Sequence, residues 1–188
     1  MRLHSLLPIL ALVSLVACDD EATPEVCGLP SVETSQDTLI GATVDGRRVK
    51  LGAQPGYRGM SLTPWDLDGS ADSWKLGING VFWRLGYLEA IQIDLAPFTG
   101  VGAYALDANS YPESRFAAYT CYGVTTHESW WAFGTPGDTV WVTAYDSVSG
   151  EIEGRFAFLG RPVLAPGNDA LSVTAGEFQG SVLPEAAP

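Results

Sequence analysis

The sequence predicts an all-β protein, either an antiparallel β-sandwich or a flattened barrel of about nine or ten strands. Helical periodicity is nearly absent, whereas short runs of β-branched and aromatic residues recur between glycine, proline and aspartate. Two dipeptides, Asp45-Gly46 and Asn79-Gly80, have the composition of type I′ hairpin turns, whose two central residues need positive φ. These observations together indicate hairpin-linked antiparallel strands.

The first 17 residues predict a cleaved export signal. Arg2 is followed by the almost wholly apolar segment Ser5–Ala17, which is shorter than the roughly 20 residues of a membrane-spanning helix. Residues 15–18, Leu-Val-Ala-Cys, resemble the lipobox of bacterial lipoproteins. In that family the cysteine is acylated and the chain is cut before it, so the resemblance implies lipid attachment at Cys18. An ordinary secreted protein with a chance cysteine is the alternative.

The residues that follow Cys18 bear on which membrane holds the protein. Asp19 resembles a signal that retains some lipoproteins in the inner membrane, whereas the acidic cluster Asp19 to Glu21 resembles a surface-export signal in other envelopes. We expect a bacterial cell-envelope protein anchored to membrane through its N-terminal lipid. The outer membrane is favoured over the inner membrane, and the leaflet stays open.

The remaining chain divides into three parts. Residues 18–38 are polar and poor in aromatics, which predicts a flexible, disordered tether. Residues 39–182 form a single β domain of a length that can bury a real core. Residues 183–188 are a short, proline-containing tail.

Strands are predicted in order through this domain. After the two hairpins they cover residues 91–95, 103–106, 116–122, 139–145, 151–159 and 171–178. In residues 139–145 one face carries Val140, Val142 and Ala144, and the other carries Trp141, Thr143 and Tyr145. In residues 151–159 one face carries Ile152, Phe156 and Phe158, and the other carries Glu153, Arg155 and Ala157. This alternation indicates strands with one buried face.

Charge and cysteine content exclude several classes of function. Removal of residues 1–17 takes away only Arg2, which leaves 9 basic and 22 acidic residues, a net charge of −13. Such a chain lacks the basic surface that nucleic-acid binding requires.

With Cys18 acylated, Cys27 and Cys121 are left to form a disulfide in an oxidising compartment or to remain separate thiols. The sequence predicts no cofactor.

Three segments resemble a family of small bacterial envelope lipoproteins that carry a β-rich domain of unknown function. The matching residues are Gly100, Gly102, Tyr104 and Leu106, then Tyr145, Asp146, Ile152, Gly154, Phe156 and Phe158, then Val173, Thr174, Gly176 and Phe178. Arg155 departs from the small residue that is usual in the family. The resemblance covers about half of the mature chain and implies architecture and envelope location, without a catalytic residue.

No catalytic or metal pattern stands out. Asp66, Asp68 and Asp72 are a weak calcium candidate, because the glycine and glutamate positions of an EF-hand loop hold Ala71 and Gly77. A hydrated turn is the alternative. His127, Glu128 and Ser129 are adjacent, and neighbouring strand residues face opposite sides, so they do not predict a catalytic triad.

The abundance of tryptophan and tyrosine is the sequence feature that suggests a binding role. Trp130, Trp131, Trp141 and Tyr145 are candidates for a binding surface, since rigid aromatic faces bind sugars and peptides at low entropy cost. Trp130 and Trp131 cannot both face the core of one strand. We expect a non-enzymatic domain that binds an envelope glycan or protein. The alternatives are a small hydrolase acting on envelope polymers and a structural accessory subunit.

Overall fold

A computed structural model of the chain describes residues 38–53, 59–65, 73–84, 87–107, 115–123, 127–164 and 169–182. These residues contain eleven antiparallel β-strands and no helix, so the predicted all-β class is confirmed. The strands are β1 (Thr38–Val44), β2 (Arg47–Gly52), β3 (Met60–Trp65), β4 (Ser73–Arg84), β5 (Tyr87–Phe98), β6 (Gly102–Ala105), β7 (Arg115–Tyr122), β8 (His127–Ala132), β9 (Thr139–Tyr145), β10 (Glu151–Pro162) and β11 (Leu171–Ser181).

Eight of the strands close into a barrel. Hydrogen-bonded neighbours follow the order β11, β1, β2, β4, β5, β7, β8 and β10, and β10 pairs with β11 to complete the ring. The other three described strands lie outside the ring: β3 pairs with β4, β9 with β10, and β6 with β9. The nine or ten strands expected from the sequence are therefore eleven, eight of them in a closed barrel.

Two long strands each carry two shorter partners along one edge. β4 pairs with β3 through residues 73–78, and with β2 at one position, where Gly52 lies opposite Val81. β10 pairs with β9 through residues 152–157 and with β8 through residues 160–162. Residues 53–59 and 133–138 separate the two shorter strands of each pair. The single register pair between β2 and β4 is the least extensive junction of the described ring.

A buried carboxylate organises the segment between β8 and β9. Asp138 is 4% exposed, and its carboxylate accepts hydrogen bonds from the backbone N–H groups of Thr135 at 2.9 Å and Leu159 at 2.8 Å. The Asp138 carbonyl accepts a third from the N–H of Leu106 at 3.0 Å. Because a buried charge needs such donors, Asp138 ties this segment to β10 and to the end of β6.

The inner faces of the ring strands form one apolar core. Along the β4–β5 ladder, Trp74 lies opposite Phe98 near one end of the barrel, and Phe82 lies opposite Glu89 near the other. These are called the Trp74 end and the Glu89 end below. Between them the inward positions are fully buried aliphatic side chains, among them Leu76, Ile78, Ile91, Ile93 and Leu95.

The predicted turn at Asp45-Gly46 is confirmed. Asp45 has φ 45° and Gly46 has φ 82°, the positive values that a type I′ turn between β1 and β2 requires. The Asp45 carboxylate also accepts a hydrogen bond from the N–H of Ser172 at 2.7 Å. The turn is therefore held against β11.

The predicted turn at Asn79-Gly80 is wrong. Both residues lie inside β4, where Asn79 is opposite Gln92 and Gly80 is opposite Ile91. A Cβ on Gly80 would lie 2.7 Å from Ile40 Cδ1 and 2.9 Å from Leu51 Cβ. Glycine is present because neighbouring core side chains fill its inner face, and the dipeptide has no role as a turn.

The predicted faces are confirmed for β10 and only in part for β9. Ile152, Phe156 and Phe158 are buried, as are Val140 and Val142, but Ala144 is exposed. The β9–β10 register shifts between Glu153 and Gly154, so that β9 contains one extra residue. The bulge places Tyr145 opposite the buried Ile152. The expectation that Tyr145 shares a face with Trp141 is therefore wrong.

Candidate functional site

An open cleft of about 640 Å³ lies at the Trp74 end of the barrel. Its lining includes Leu62, Trp74, Phe98, Tyr145 and Val182, together with the β5–β6 turn and the β9–β10 turn. This volume falls within the range of small-ligand sites, roughly 300 to 1,000 Å³. The mouth of a barrel is also a common position for such sites.

Three aromatic side chains of the cleft stand at strand ends. Trp74 is the second residue of β4 and lies opposite Phe98, the last residue of β5. Tyr145 is the last residue of β9, turned inward by the bulge. Because these strands end at the same edge of the barrel, the three rings converge on one opening.

The rings are held by contacts with their neighbours. The Phe98 ring meets the Tyr145 ring edge to face, with centroids 5.2 Å apart and an interplanar angle of 79°. It also stacks on Tyr104 at 6.0 Å. The Tyr104 hydroxyl donates to the Gly100 carbonyl at 2.6 Å and accepts from the Thr99 N–H at 3.1 Å. The β5–β6 turn and the ring beside it are therefore fixed together.

The β9–β10 turn forms the opposite rim of the cleft. Its Asp146 carboxylate accepts hydrogen bonds from the Val148 N–H at 2.8 Å and the Ser149 hydroxyl at 2.9 Å. The first of these bonds is the main cause that lowers the pKa of Asp146. Gly150 has φ 76°, and a Cβ there would collide with the Val182 carbonyl oxygen. The turn is therefore a defined rim.

The described lining of the cleft is aromatic, aliphatic and hydroxylic, and the Asp146 carboxylate lies in its rim. Among the residues that the structure describes, none that lines the cleft is Asp, Glu, Lys, Arg or His. The Trp74 indole N–H and the Tyr145 hydroxyl have no hydrogen-bond partner among the described residues. The cleft therefore offers apolar ring faces with polar groups beside them, and it can bind a neutral ligand by stacking and hydrogen bonding.

A second polar feature lies inside the barrel at the Glu89 end. The Glu89 carboxylate is 1% exposed and forms an ion pair with Arg47, which reaches it from β2. Arg47 donates to both carboxylate oxygens. Tyr119 donates its hydroxyl to Oε1 at 2.8 Å, and Tyr87 donates to Oε2 at 3.4 Å. Each oxygen therefore accepts one bond from Arg47 and one from a tyrosine.

This arrangement suits a structural role more than a catalytic one. Burial, followed by the nearby Glu89 charge, raises the pKa of Tyr87 to about 12 and also raises the pKa of Tyr119. Both tyrosines therefore remain protonated donors at neutral pH. A carboxylate whose oxygens are occupied by fixed donors is a poor general base. The cluster instead links β2, β5 and β7 across the barrel interior.

The four aromatic candidates from the sequence do not form one surface. Trp130 is 5% exposed and packs on Tyr119 inside the barrel. Its assignment to a binding surface is wrong, because inward positions of β8 face the core. Trp131 lies on the outer face of β8 and Trp141 on β9, where it is exposed, whereas Tyr145 lines the cleft. The expectation that Trp130 and Trp131 face opposite sides is confirmed.

Several predicted residues lie outside the described ranges. These are the lipidation site Cys18, the first cysteine of the possible disulfide, Cys27, and the calcium candidates Asp66, Asp68 and Asp72. Cys121 is fully buried on the inner face of β7. Its pairing with Cys27 stays a prediction.

His127 does not join a catalytic group. Its exposed imidazole stacks on the ring of Tyr122, with centroids 3.9 Å apart. Within the described ranges no three His, Cys, Asp or Glu side chains are grouped as metal ligands. The same residues contain no helix long and apolar enough to span a membrane.

Sequence reasoning missed Trp74 and Phe98 as partners of Tyr145 in a cleft. Trp74 stands out in the sequence only as one tryptophan among six, and Phe98 follows a proline at the end of an apolar strand. Their proximity depends on the β4–β5 register and on the bulge in β9. Neither feature has a local sequence signal.

Comparison with family models, with curated proteins and with solved structures found no match to this chain. The assignment of function therefore depends on the geometry described above.

Proposed function

We propose that this chain is a lipid-anchored protein of the bacterial cell envelope that binds an uncharged oligosaccharide in the aromatic cleft and does not transform it. The observation that carries the proposal is the convergence of Trp74, Phe98 and Tyr145 on an opening whose described lining residues carry no charge. Aromatic faces bind the apolar faces of sugar rings, and neighbouring hydroxyl and N–H groups bind sugar hydroxyls.

The absence of charge among the described lining residues bears on the choice between candidate ligands. A strongly acidic ligand would lose hydration on entering the cleft without gaining an opposite charge from these residues. A neutral sugar loses less hydration free energy when it enters the cleft. An uncharged protein segment is the other occupant of interest, and a pull-down in the same buffer distinguishes it from a glycan.

Attachment to the membrane is supported by the resemblance of residues 15–18 to a lipobox. Multiple acyl chains hold a protein on a bilayer far more firmly than one. We expect Cys18→Ala to be released into the soluble fraction or to retain its signal, as read by membrane fractionation and intact mass. Equal membrane recovery of the variant and the unmodified chain would contradict lipid attachment.

Binding is tested with the full chain in neutral detergent, first on a glycan array and then by calorimetry with the best neutral oligosaccharide. Tyr145→Phe removes one hydroxyl and retains the ring, so we expect Kd to rise about fivefold, the effect of one hydrogen bond. Val101→Ala is the control, because Val101 is an exposed residue of the β5–β6 turn that does not itself line the cleft.

Two results would overturn the binding proposal. One is a blank array together with an empty pull-down, and the other is an unchanged Kd for both Tyr145→Phe and Trp74→Ala. The hydrolase alternative is tested in the same samples, since it requires shortened glycans to appear over time. Within the described part of the chain, no lining residue of the cleft carries a carboxylate or imidazole that favours it.

A further inference from the structure

The outer face of β4, β5, β7 and β8 carries no Asp, Glu, Lys or Arg over three successive cross-strand rows. The row nearest the Glu89 end consists of Trp83, Leu88, Tyr122 and His127, each directly opposite the next. The following two rows contain only small, hydroxyl or amide side chains and, at the far corner, Trp131. We call this surface the neutral wall.

The opposite side of the barrel is very different. Outward positions of β10 include Glu151, Glu153 and Arg155, all exposed. Outward positions of β2 and β11 add Arg48 and Glu177. In a chain with 22 acidic and 10 basic residues, an uncharged area across four strands is a marked asymmetry. Exposed apolar residues bordered by polar ones are typical of interaction sites, and the row of Trp83, Leu88 and Tyr122 has this character.

Two aromatic residues of the neutral wall are exposed, and ring contacts hold Tyr122 and Trp131 in place. Trp83 is 64% exposed and Tyr122 is 40% exposed. The Tyr122 ring is supported by stacking on His127. At the far corner Trp131 packs edge to face on Phe116, with centroids 5.0 Å apart. Rigid aromatic side chains lose little conformational entropy when they bind.

The size of the neutral wall limits what can occupy it. Four strands about 4.8 Å apart and three outward residues along each strand give an area of about 400 Å². A stable dimer buries about 800 Å² on each partner, so the wall is too small to hold a second copy alone. The acidic remainder of the chain also disfavours close approach to an anionic lipid surface.

We propose that the neutral wall is a docking platform for an extended, uncharged polysaccharide chain. Trp83 and Tyr122 stand two strands apart on one row, a separation of about 10 Å. That spacing allows well-separated rings of one sugar chain to stack on the two aromatic side chains. The wall contains no Asp, Glu, Lys or Arg, which suits an uncharged polymer, and it shares no residue with the cleft at the Trp74 end.

The proposal is tested by sedimentation of the full chain, in neutral detergent, with two insoluble neutral polysaccharides, cellulose and chitin. We expect the chain to sediment with at least one of them. Trp83→Ala and Tyr122→Ala should each lower the apparent affinity about tenfold through loss of one stacking contact. Leu159→Ala is the control, since it truncates an exposed apolar side chain on β10, outside the wall.

Any other outcome contradicts the proposed docking platform. It is wrong if neither polymer retains the chain, or if Trp83→Ala and Tyr122→Ala sediment like Leu159→Ala. It is also wrong if the two variants instead abolish binding to phosphatidylcholine vesicles or a concentration-dependent dimer. Tyr145→Phe should sediment normally, which separates failure of the wall from failure of the cleft. Circular dichroism of every variant confirms that the fold is retained.

Discussion

Replacement of Arg47 by methionine provides a direct test of the buried cluster at the Glu89 end. The substitution keeps a long side chain and removes the only cation that contacts the Glu89 carboxylate among the described hydrogen bonds and ion pairs. Glu89 is 1% exposed, whereas the Arg47 side chain is 24% exposed. The pair is therefore buried on one side and partly hydrated on the other.

The expected cost follows from this asymmetry. Removal of one partner from a buried ion pair costs about 3 to 5 kcal/mol, because the remaining charge stays uncompensated. Partial hydration of Arg47, together with the two tyrosine hydroxyls that remain on Glu89, places the estimate at the lower end, about 3 kcal/mol. For a chain of this length the loss corresponds to a fall in Tm of about 6 to 12 °C.

The assay is urea unfolding of Arg47→Met beside Arg48→Met, which removes the same charge from the exposed neighbouring position. We expect less than about 1 kcal/mol for the Arg48 variant. Arg47→Met combined with Glu89→Gln should be more stable than Arg47→Met alone, since the uncompensated charge is gone while an acceptor for the tyrosines remains. A cost below about 1 kcal/mol for Arg47→Met would show that the pair behaves as a surface pair, and would refute the reasoning.

Three further predictions concern the core, the tyrosines and the cysteines. Gly80→Ala should destabilise the fold by about 1 to 3 kcal/mol in urea unfolding, because the added methyl group overlaps Ile40 and Leu51; a neutral result would contradict the packing role of Gly80. The raised pKa values of Tyr87 and Tyr119 mean that the unfolded tyrosines ionise first, near pH ~10. The stability they contribute is complete below that pH and is lost as pH rises through the folded pKa, about 12 for Tyr87. Tyr119→Phe should flatten this decline in unfolding free energy between about pH 9 and 12, and an unchanged decline would argue against it. If Cys27 and Cys121 are bonded, intact mass rises by two protons on reduction, and loss of the bridge destabilises by about 4 to 5 kcal/mol in the chain-entropy model; an unchanged mass would mean separate thiols.

The two Asx-Gly dipeptides show how much of the structure a local sequence pattern can predict. Asp45-Gly46 stands between strands that can pair with each other, and the structure places a type I′ turn there. Asn79-Gly80 has the same local signal, yet lies inside a strand of 12 residues. The deciding contacts come from Ile40 and Leu51, about 40 and 30 positions earlier in the chain. A local pattern cannot contain that information.

The candidate site was less accessible to sequence reasoning than the fold class. Alternation correctly assigned Val140 and Val142 to the buried side of β9, but one extra residue beyond them reverses the parity and turns Tyr145 inward. In its local sequence Glu89 resembles an ordinary solvent-facing acid. The strand register instead places it on the inner face of the barrel, beside Arg47 from a distant strand. Register between distant strands is therefore the missing quantity in both cases.

The shared edges of β4 and β10 have a consequence for how this architecture can vary. Each long strand pairs along one edge with two shorter strands, which a connecting segment separates in the chain. The long strand aligns both short strands, and at the β8–β9 junction Asp138 adds hydrogen bonds to the same alignment. Extra residues inserted between residues 53 and 59 would lengthen a connection at small entropic cost, whereas insertion at 133–138 would disturb the hydrogen bonds of Asp138. The junction between β2 and β3 is therefore the place where this barrel can accept new recognition residues without a change in strand register.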